Sequence, residues 1–482
     1  MGISRRRFLE DSMWASAAAA AAAAAGSSRD SVAADTGSKA SPNDVIRVAV
    51  VGVNGRGMSH VGGFTANKET QIVAICDADE NVFAKAKKAV EQKTGKAPVF
   101  YQDIRKMLEN KEIDAVSIAT PNHWHALGAI WAIQAGKDVY VEKPISHNVL
   151  EGRMIAEFAR KHGKIVQTGT QSRSNTGMRE LIAAIHAGKI GKVNLARGLC
   201  YKPRKTIGKV TAATEVPKGI DYNLWLGPAA EKPVMRQRFH YDWHWQWDYG
   251  NGDLGNQGSH EMDKARWGLG KNEMPKKAFS LGGRFGYVDD GQTANTQLLF
   301  FDYGDSQLTF EVRGLDTPAY MGAKVGNIWH GSEGYAVSSN YAGGSLFDLK
   351  GNKLATFSGG SDQLHFNNFV KAVRSRKRED LTCEAVEGHL SGALCHLGNV
   401  SYQLGELRKF GAAPSCVTGS KDTADTFARF EEHLKENKIA LDTEQYRMGK
   451  ELSLEGESFT DKTLNHWLTR EYRKGFEVPD KA

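Results

Sequence analysis

Short apolar runs punctuate the chain from residue 45 onward: "VIRVAVVG" from Val45, "QIVAIC" from Gln71, "DAVSIATP" from Asp114, "DVYVEKP" from Asp138 and "KIVQTGTQ" from Lys164. Amphipathic stretches with helical spacing, such as Asn81–Lys93 and His125–Ala135, lie between them. Continuous apolar runs alternating with helices predict parallel strands covered on both faces. Residues 44–171 therefore read as a doubly wound α/β domain of the Rossmann kind.

The pattern changes past Gln171. One helical stretch, Met178–Gly188, leads into "KVNLARGLCY" and a long aromatic-rich segment. From Lys277 the chain reads as strands with turn punctuation: "KAFSLGGRF", "TANTQLLFFDYGDSQLTFEVRG" and "YAVSSNYAGGSLFDLKGNKLATF". "FDYGDSQ" and "DLKGNK" place glycine where hairpin turns need it. Helical spacing returns at Gln363–Arg376 and Glu384–Gly405. Residues 172–413 thus predict an α+β domain on a large, open, mainly antiparallel sheet, and 414–482 a polar, partly helical C-terminal extension.

Composition agrees with a soluble globular protein: 40% of residues are hydrophobic and 25% charged. The net charge of +7 is dispersed. "RSRKRED" near Arg374 reads as the solvated end of a helix, so no nucleic-acid-binding stripe is expected. Cys76, Cys200, Cys383, Cys395 and Cys416 are odd in number and lack metal-ligand spacing. In an exported protein one pair could form a disulfide, and the sequence leaves the pairing open.

Residues 1–43 read as a targeting segment and linker. Ser4-Arg5-Arg6-Arg7-Phe8-Leu9 resembles the twin-arginine export motif, with Glu10 where a lysine is more usual. The alanine run Ala17–Ala25 behind it is too mild and too short for a stable membrane anchor. Delivery to the periplasm, or otherwise outside the cell, by the twin-arginine machinery is the expectation.

Gly52-Val53-Asn54-Gly55-Arg56-Gly57 falls between the first strand and a helix pattern. Such a turn needs glycine where the chain bends sharply and where backbone approaches a pyrophosphate. Asn54 stands in for the middle glycine and tolerates left-handed angles. Asp77 closes the second strand, where an acid accepts hydrogen bonds from ribose hydroxyls and repels a 2′-phosphate. NAD is favoured over NADP.

"IATPNHWHALGAIWAIQAGKDVYVEKP" holds Thr120-Pro121-Asn122, His125, Ala135-Gly136-Lys137 and Glu142-Lys143-Pro144. With the glycine turn and the later segments, from about Val45 to Gly405, the chain resembles the Gfo/Idh/MocA family of sugar and cyclitol oxidoreductases. The resemblance implies that Lys143 lies between nicotinamide and substrate, with Thr120, Pro121, Asn122, His125, Glu142 and Gln171 beside the cofactor. A lysine there can stabilise a developing alkoxide. The family's Asp-x-x-x-His motif appears in "GNGDLGNQGSHEMDKARWGLG" as Asn256 and His260. Asparagine orients a hydroxyl but takes no proton, which leaves His260 as general base. Arg173, and Tyr201 and Arg204 at a strand end of the second domain, are implied to face the cleft or the substrate. The family's habit of associating through the open sheet face implies a homodimer or tetramer.

"RFHYDWHWQWDYGNGD" gathers Trp243, Trp245 and Trp247 with His240, His244, Asp242 and Asp248. Trp243 and Trp245 suit a wall that stacks on sugar C–H faces, and equally a packed core. No carboxylate–histidine set there follows a metal template, so no metal is assigned. His123 and His125 read as polar groups of the cofactor and substrate sides, and His389 and His396 as packing on one helical face. The functional expectation is an NAD-dependent oxidoreductase acting at a secondary alcohol of a sugar, cyclitol or glycoside, with the cofactor retained. An NAD-dependent glycoside hydrolase working by transient oxidation and elimination is the alternative, and a non-catalytic carbohydrate-binding protein the third.

Overall fold

The computed structural model describes residues 45–482. Its N-terminal sheet has six parallel strands in the order β3-β2-β1-β4-β5-β6: β1 Ile46–Val51, β2 Thr70–Cys76, β3 Val99–Tyr101, β4 Ala115–Ile118, β5 Asp138–Glu142 and β6 Val166–Gly169. β4, β5 and β6 are buried at every position, as strands covered on both faces must be. Helices Gly57–Ala66, Phe83–Thr94, Asn122–Gln134 and Val149–Lys161 connect them. β3 escapes the apolar-run reading because it spans three residues and starts at the exposed Val99.

The second sheet runs β14-β13-β12-β11-β7-β10-β9-β8-β16-β15. Its strands are β7 Val193–Tyr201, β8 Lys277–Gly283, β9 Thr296–Asp302, β10 Gln307–Arg313, β11 Val325–Gly331, β12 Gly334–Ser338, β13 Gly344–Asp348, β14 Lys353–Phe357, β15 Glu406–Lys409 and β16 Gln445–Met448. Both expected hairpins form, β9 with β10 and β13 with β14. β7 pairs in parallel with β10, so the sheet is mixed. β11, "VGNIWHG", lacks both an apolar run and alternation, which hid it from the pattern. Helices Gly258–Leu269 and Ala385–Gln403 fill the space between the two sheets.

Residues past 414 build onto the same body. Helix Lys421–Glu436 lays Phe427, Phe430 and Leu434 on Phe279, Leu281, Leu298 and Phe300 of β8 and β9. β16 and β17 (Leu452–Glu455) pair with β8. The terminal Phe476 returns to the N-terminal domain, edge-on to Trp124. The five cysteines are free thiols, four of them buried. Among the described residues no helix is long and apolar enough to cross a membrane. The export motif and alanine run lie outside the described residues.

Candidate active site

The carboxyl ends of β1, β4 and β5 open into a cavity of about 710 Å³, the usual ligand position of an open parallel sheet. Gly52, Asn54, Gly55 and Arg56 line it after β1, Asp77 after β2, Thr120, Pro121 and Asn122 after β4, and Glu142 and Lys143 after β5. These residues come from four separate strand ends, and the sheet's parallel topology brings them together.

At one end, Gly52 turns the chain at φ 81°, a left-handed angle that glycine adopts without cost. A Cβ on Gly55 would meet nothing within 4 Å, so the turn presents bare backbone to the cavity. The Asp77 carboxylate accepts hydrogen bonds from Val53 N–H at 2.8 Å and Asp79 N–H at 3.0 Å. Burial pushes its pKa up, and those two donors oppose the shift. A bare glycine turn, a helix N-terminus behind it and a carboxylate on the next strand fit a dinucleotide.

Toward the other end, Glu142 is the hub of a buried polar cluster. Its Oε1 accepts from Arg56 Nε at 2.9 Å, His60 Nε2 at 3.1 Å and Gln171 Nε2 at 3.1 Å. Although burial alone would raise it, hydrogen bonding from His60 and the Arg56 charge hold Glu142 well below the usual carboxylate range. Oε2 accepts from the Lys143 backbone N–H at 3.2 Å, so the cluster fixes the backbone that presents Lys143. His125 lies within reach of the Thr120 carbonyl at 2.8 Å and the Pro144 carbonyl at 2.6 Å, bracing two strand ends against each other.

Lys143 Nζ donates to the Asn256 carbonyl at 2.5 Å and to Asn256 Oδ1 at 3.3 Å. Burial lowers its pKa from 10.5, with the Glu142 charge acting in the other direction. His260, in helix Gly258–Leu269, lies beside the Tyr341 ring with centroids 4.8 Å apart. Burial first, then the Lys143 charge, push His260 well below 6.5, and its Nδ1 is buried with no hydrogen-bond partner. The imidazole is therefore neutral near pH 7, with a ring nitrogen that no protein group claims. Gln257 Nε2 donates to Tyr341 Oη at 2.5 Å, and Lys202, which also lines the cavity, donates from Nζ to Gln257 Oε1 at 3.4 Å. Sequence reasoning missed Gln257 and Tyr341. Gln257 was within reach, as the neighbour of Asn256, whereas Tyr341 sits on a turn between β12 and β13 with no local signal.

Four expected substrate contacts lie elsewhere. Arg173 is engaged by Asp263 at 2.8 Å and Glu387 at 2.9 Å, joining two buried helices instead of facing the cavity. Tyr201 points to the other side of the sheet, where its hydroxyl donates to Glu311 at 2.7 Å. Arg204 is paired with Asp253 at 2.5 Å, and Trp245 is buried beneath that guanidinium and against Tyr241. Each of these cations already has its carboxylate, which is why none is left for a ligand. Trp243 does line the cavity, stacked on His244 at 3.7 Å. His123 bonds the Trp225 carbonyl at 2.9 Å and is an anchor for the loop above it. His389 meets Glu457 and His396 meets Ser146 within the core. Of the other candidate ligands, His240 pairs with Asp79, Asp242 with Arg238 and Asp248 with Lys232. Among the described residues no three His, Cys, Asp or Glu side chains converge on a metal position.

A Rossmann domain joined to an α+β domain, with a glycine turn and an invading lysine at one cavity, defines a class of two-domain dinucleotide-binding proteins. Residues 46–170 match the oxidoreductase family described by its NAD-binding Rossmann fold, and residues 179–429 match that family's C-terminal alpha/beta domain. The chain belongs to the Gfo/Idh/MocA oxidoreductase family, and its N-terminal domain is the NAD-binding one.

Two relatives share part of it. Glycosyl hydrolase family 109 protein 2 of Shewanella sp. (strain ANA-3) is 36% identical over 164 residues, 31% of this chain and 35% of that protein. Inositol 2-dehydrogenase 1 of Saccharopolyspora erythraea is 32% identical over 148 residues, 30% of this chain and 43% of that protein. The matches thus span less than half the length of either relative. The WlbA dehydrogenase from Bordetella pertussis, solved in complex with NADH and UDP-GlcNAcA, shares the fold with a TM-score of 0.54 at 19% identity, over 72% of this chain and 93% of its own.

Proposed function

We propose that the protein oxidises a secondary alcohol of a sugar, cyclitol or glycoside with NAD that stays bound. The observation that carries this reading is the placement of Lys143 Nζ, on the Asn256 carbonyl, in the cavity that also holds the glycine turn, Asp77 and His260. The turn residues and Asp77 would hold the dinucleotide, and Lys143, Asn256 and His260 the reacting end of the substrate. NAD bound there supplies a hydride acceptor. Lys143 places its charge beside the alcohol oxygen and stabilises the developing alkoxide. His260, neutral through burial, accepts the hydroxyl proton. Asn256 orients Lys143 through its carbonyl and takes no proton.

The pH dependence follows from the two directions. His260 must be unprotonated, and its depressed pKa keeps it so down to well below pH 6.5. Lys143 must be charged, and its lowered pKa means that charge is lost on raising the pH before 10.5 is reached. A profile of kcat/KM is expected to be flat from about 6.5, with an alkaline fall that starts earlier than for a free lysine. An acid limb centred at or above pH 6.5 would contradict the role given to His260.

A second reading is favoured by a different observation. The carboxylates lining the cavity are already engaged: Asp77 by backbone N–H groups, Asp103 by Arg105, Glu142 by the Arg56 cluster and Asp362 by Arg56. No pair is free for acid–base hydrolysis of the ordinary kind. Glycoside cleavage would instead proceed by oxidation, which acidifies the neighbouring C–H, elimination of the aglycone, addition of water and reduction. The glycosyl hydrolase relative supports this alternative.

Incubating the purified holo-protein with a panel of glycosides and free sugars, without added cofactor, separates the cases. Oxidised sugar with accumulating NADH supports the dehydrogenase, and released aglycone at constant total NADH supports the hydrolase. Absence of any turnover, with sugar binding intact, would leave a carbohydrate-binding protein. We further propose twin-arginine export, a route that carries folded proteins and so lets NAD be loaded beforehand. A homodimer or tetramer would have to use the β11–β14 part of the sheet face, since helix Lys421–Glu436 covers β8 and β9.

A further inference from the structure

The roof of the cavity comes from the second domain, and it is fastened to the N-terminal domain at two places. Residues 214–248, between β7 and the helix Gly252–Asn256, leave the large sheet and cross the cavity toward the N-terminal domain. At the far side, Ile220 bridges antiparallel to Asp79. Glu80 N–H donates to the Gly219 carbonyl at 3.0 Å, and Asp221 N–H to the Ala78 carbonyl at 2.9 Å. Asn81 Nδ2 reaches the Lys218 carbonyl at 2.8 Å, and His240 Nε2 meets Asp79 Oδ2 at 2.9 Å. These partners, Ala78 to Asn81, immediately follow Asp77, the residue placed to read the ribose. The second fastening is Trp124 at the start of helix Asn122–Gln134, whose Nε1 donates to the Leu224 and Trp225 carbonyls at 3.0 Å each.

Between the fastenings the segment has its own small core. Trp225, Leu226, Phe239 and Trp243 pack together with Tyr249 just beyond the segment, and Ala78 of the N-terminal domain packs against them. The Arg236 guanidinium lies 4.4 Å from the Trp225 and Phe239 ring centroids. A bound aromatic core is held as a unit, unlike a free loop. Its Leu224, Trp225, His240 and Tyr241 line the cavity together with Asp77, Gln102, Ile104 and Pro121 of the N-terminal domain.

We propose that residues 214–248 form a strap that locks the adenosine end of NAD in place, so that the nucleotide cannot leave unless the Asp79–His240 and Ala78–Asp221 contacts open. The inference rests on NAD binding in this cavity as set out above. It goes further by assigning retention to named groups outside the glycine turn. A locked cofactor requires the reduced form to be reoxidised in place, by a second carbonyl substrate or by the product's own return. The overall reaction class is then one that closes its redox cycle within a single cavity.

The full-length holo-protein, isolated with its nucleotide, is chased with a large excess of isotopically labelled NAD, and bound label is followed after rapid desalting. The wild type is expected to exchange at least tenfold more slowly than Asp79→Asn/His240→Ala, and more slowly than Asn81→Ala, at unchanged far-UV circular dichroism. If wild type and both variants exchange at the same rate, the strap does not hold the nucleotide and the inference falls, while NAD binding stands. Should the double variant fail to fold, Asn81→Ala alone decides: exchange as slow as wild type counts against the strap. A purified full-length protein that contains no dinucleotide, and takes up none, would overturn the functional reading itself.

Discussion

Replacing Lys143 with methionine is expected to lower kcat/KM by roughly 10²–10³ while leaving the bound NAD per chain unchanged, because a donor aimed at a developing oxyanion is worth that much. The substitution keeps the aliphatic stem and removes the charge. Its backbone stays fixed by Glu142, whose own partners Arg56, His60 and Gln171 do not contact the lysine ammonium. Melting temperature should not fall, since the ammonium's hydrogen-bond partners are the neutral oxygens of Asn256 and burial already disfavours its charge, as its lowered pKa records. Nucleotide content by absorbance and single-turnover reduction of the bound NAD separate the two effects. Activity within about threefold of wild type would remove Lys143 from the chemistry, since no oxyanion donor is worth so little.

The asymmetry between Lys143 and Arg173 shows what the sequence could and could not reveal. Both are basic residues just beyond strands of the N-terminal sheet, and both were expected to face the cleft. The strand ends themselves were legible, because continuous apolar runs must be buried on both faces and their carboxyl ends must converge. Whether a cation at such an end is free depends on residues far away in the chain. Arg173 is neutralised by Asp263 and Glu387, 90 and 214 positions distant, whereas Lys143 meets a carbonyl and an amide of Asn256. No local pattern encodes that difference. The same holds for Tyr341 and for the strap, whose aromatic composition was visible as sugar-stacking or core but whose attachment to Ala78–Asn81 was not. Trp243 and Trp245 divide accordingly, one lining the cavity and the other buried beneath the Arg204 guanidinium.

The glycine turn yields the second large expected effect, and here sequence and geometry converge. An alanine Cβ at Gly57 would lie 1.7 Å from the Gly52 carbonyl oxygen, and a Cβ on Gly52 would in turn come within 2.8 Å of the Ala119 and Thr120 backbone, which leaves the turn no room to shift that way. No side chain can move to relieve that overlap, so the turn, the start of helix Gly57–Ala66 and the end of β4 must separate. Gly57→Ala is expected to cost on the order of 3–5 kcal/mol, in the range of the most damaging single substitutions, and to yield protein without nucleotide. That is a large part of the 5–15 kcal/mol typical of a folded domain. Gly55→Ala is the informative contrast. Its Cβ would meet no protein atom within 4 Å, so the melting temperature of the nucleotide-free protein should stay within about 2 °C of wild type. Any loss it causes should appear in NAD affinity, because the space it enters is the one the pyrophosphate would occupy. Differential scanning calorimetry with and without added NAD measures both quantities. A Gly57→Ala protein that melts like wild type and still carries NAD would show that the turn opens freely, and that the first link from glycine spacing to cofactor site is wrong.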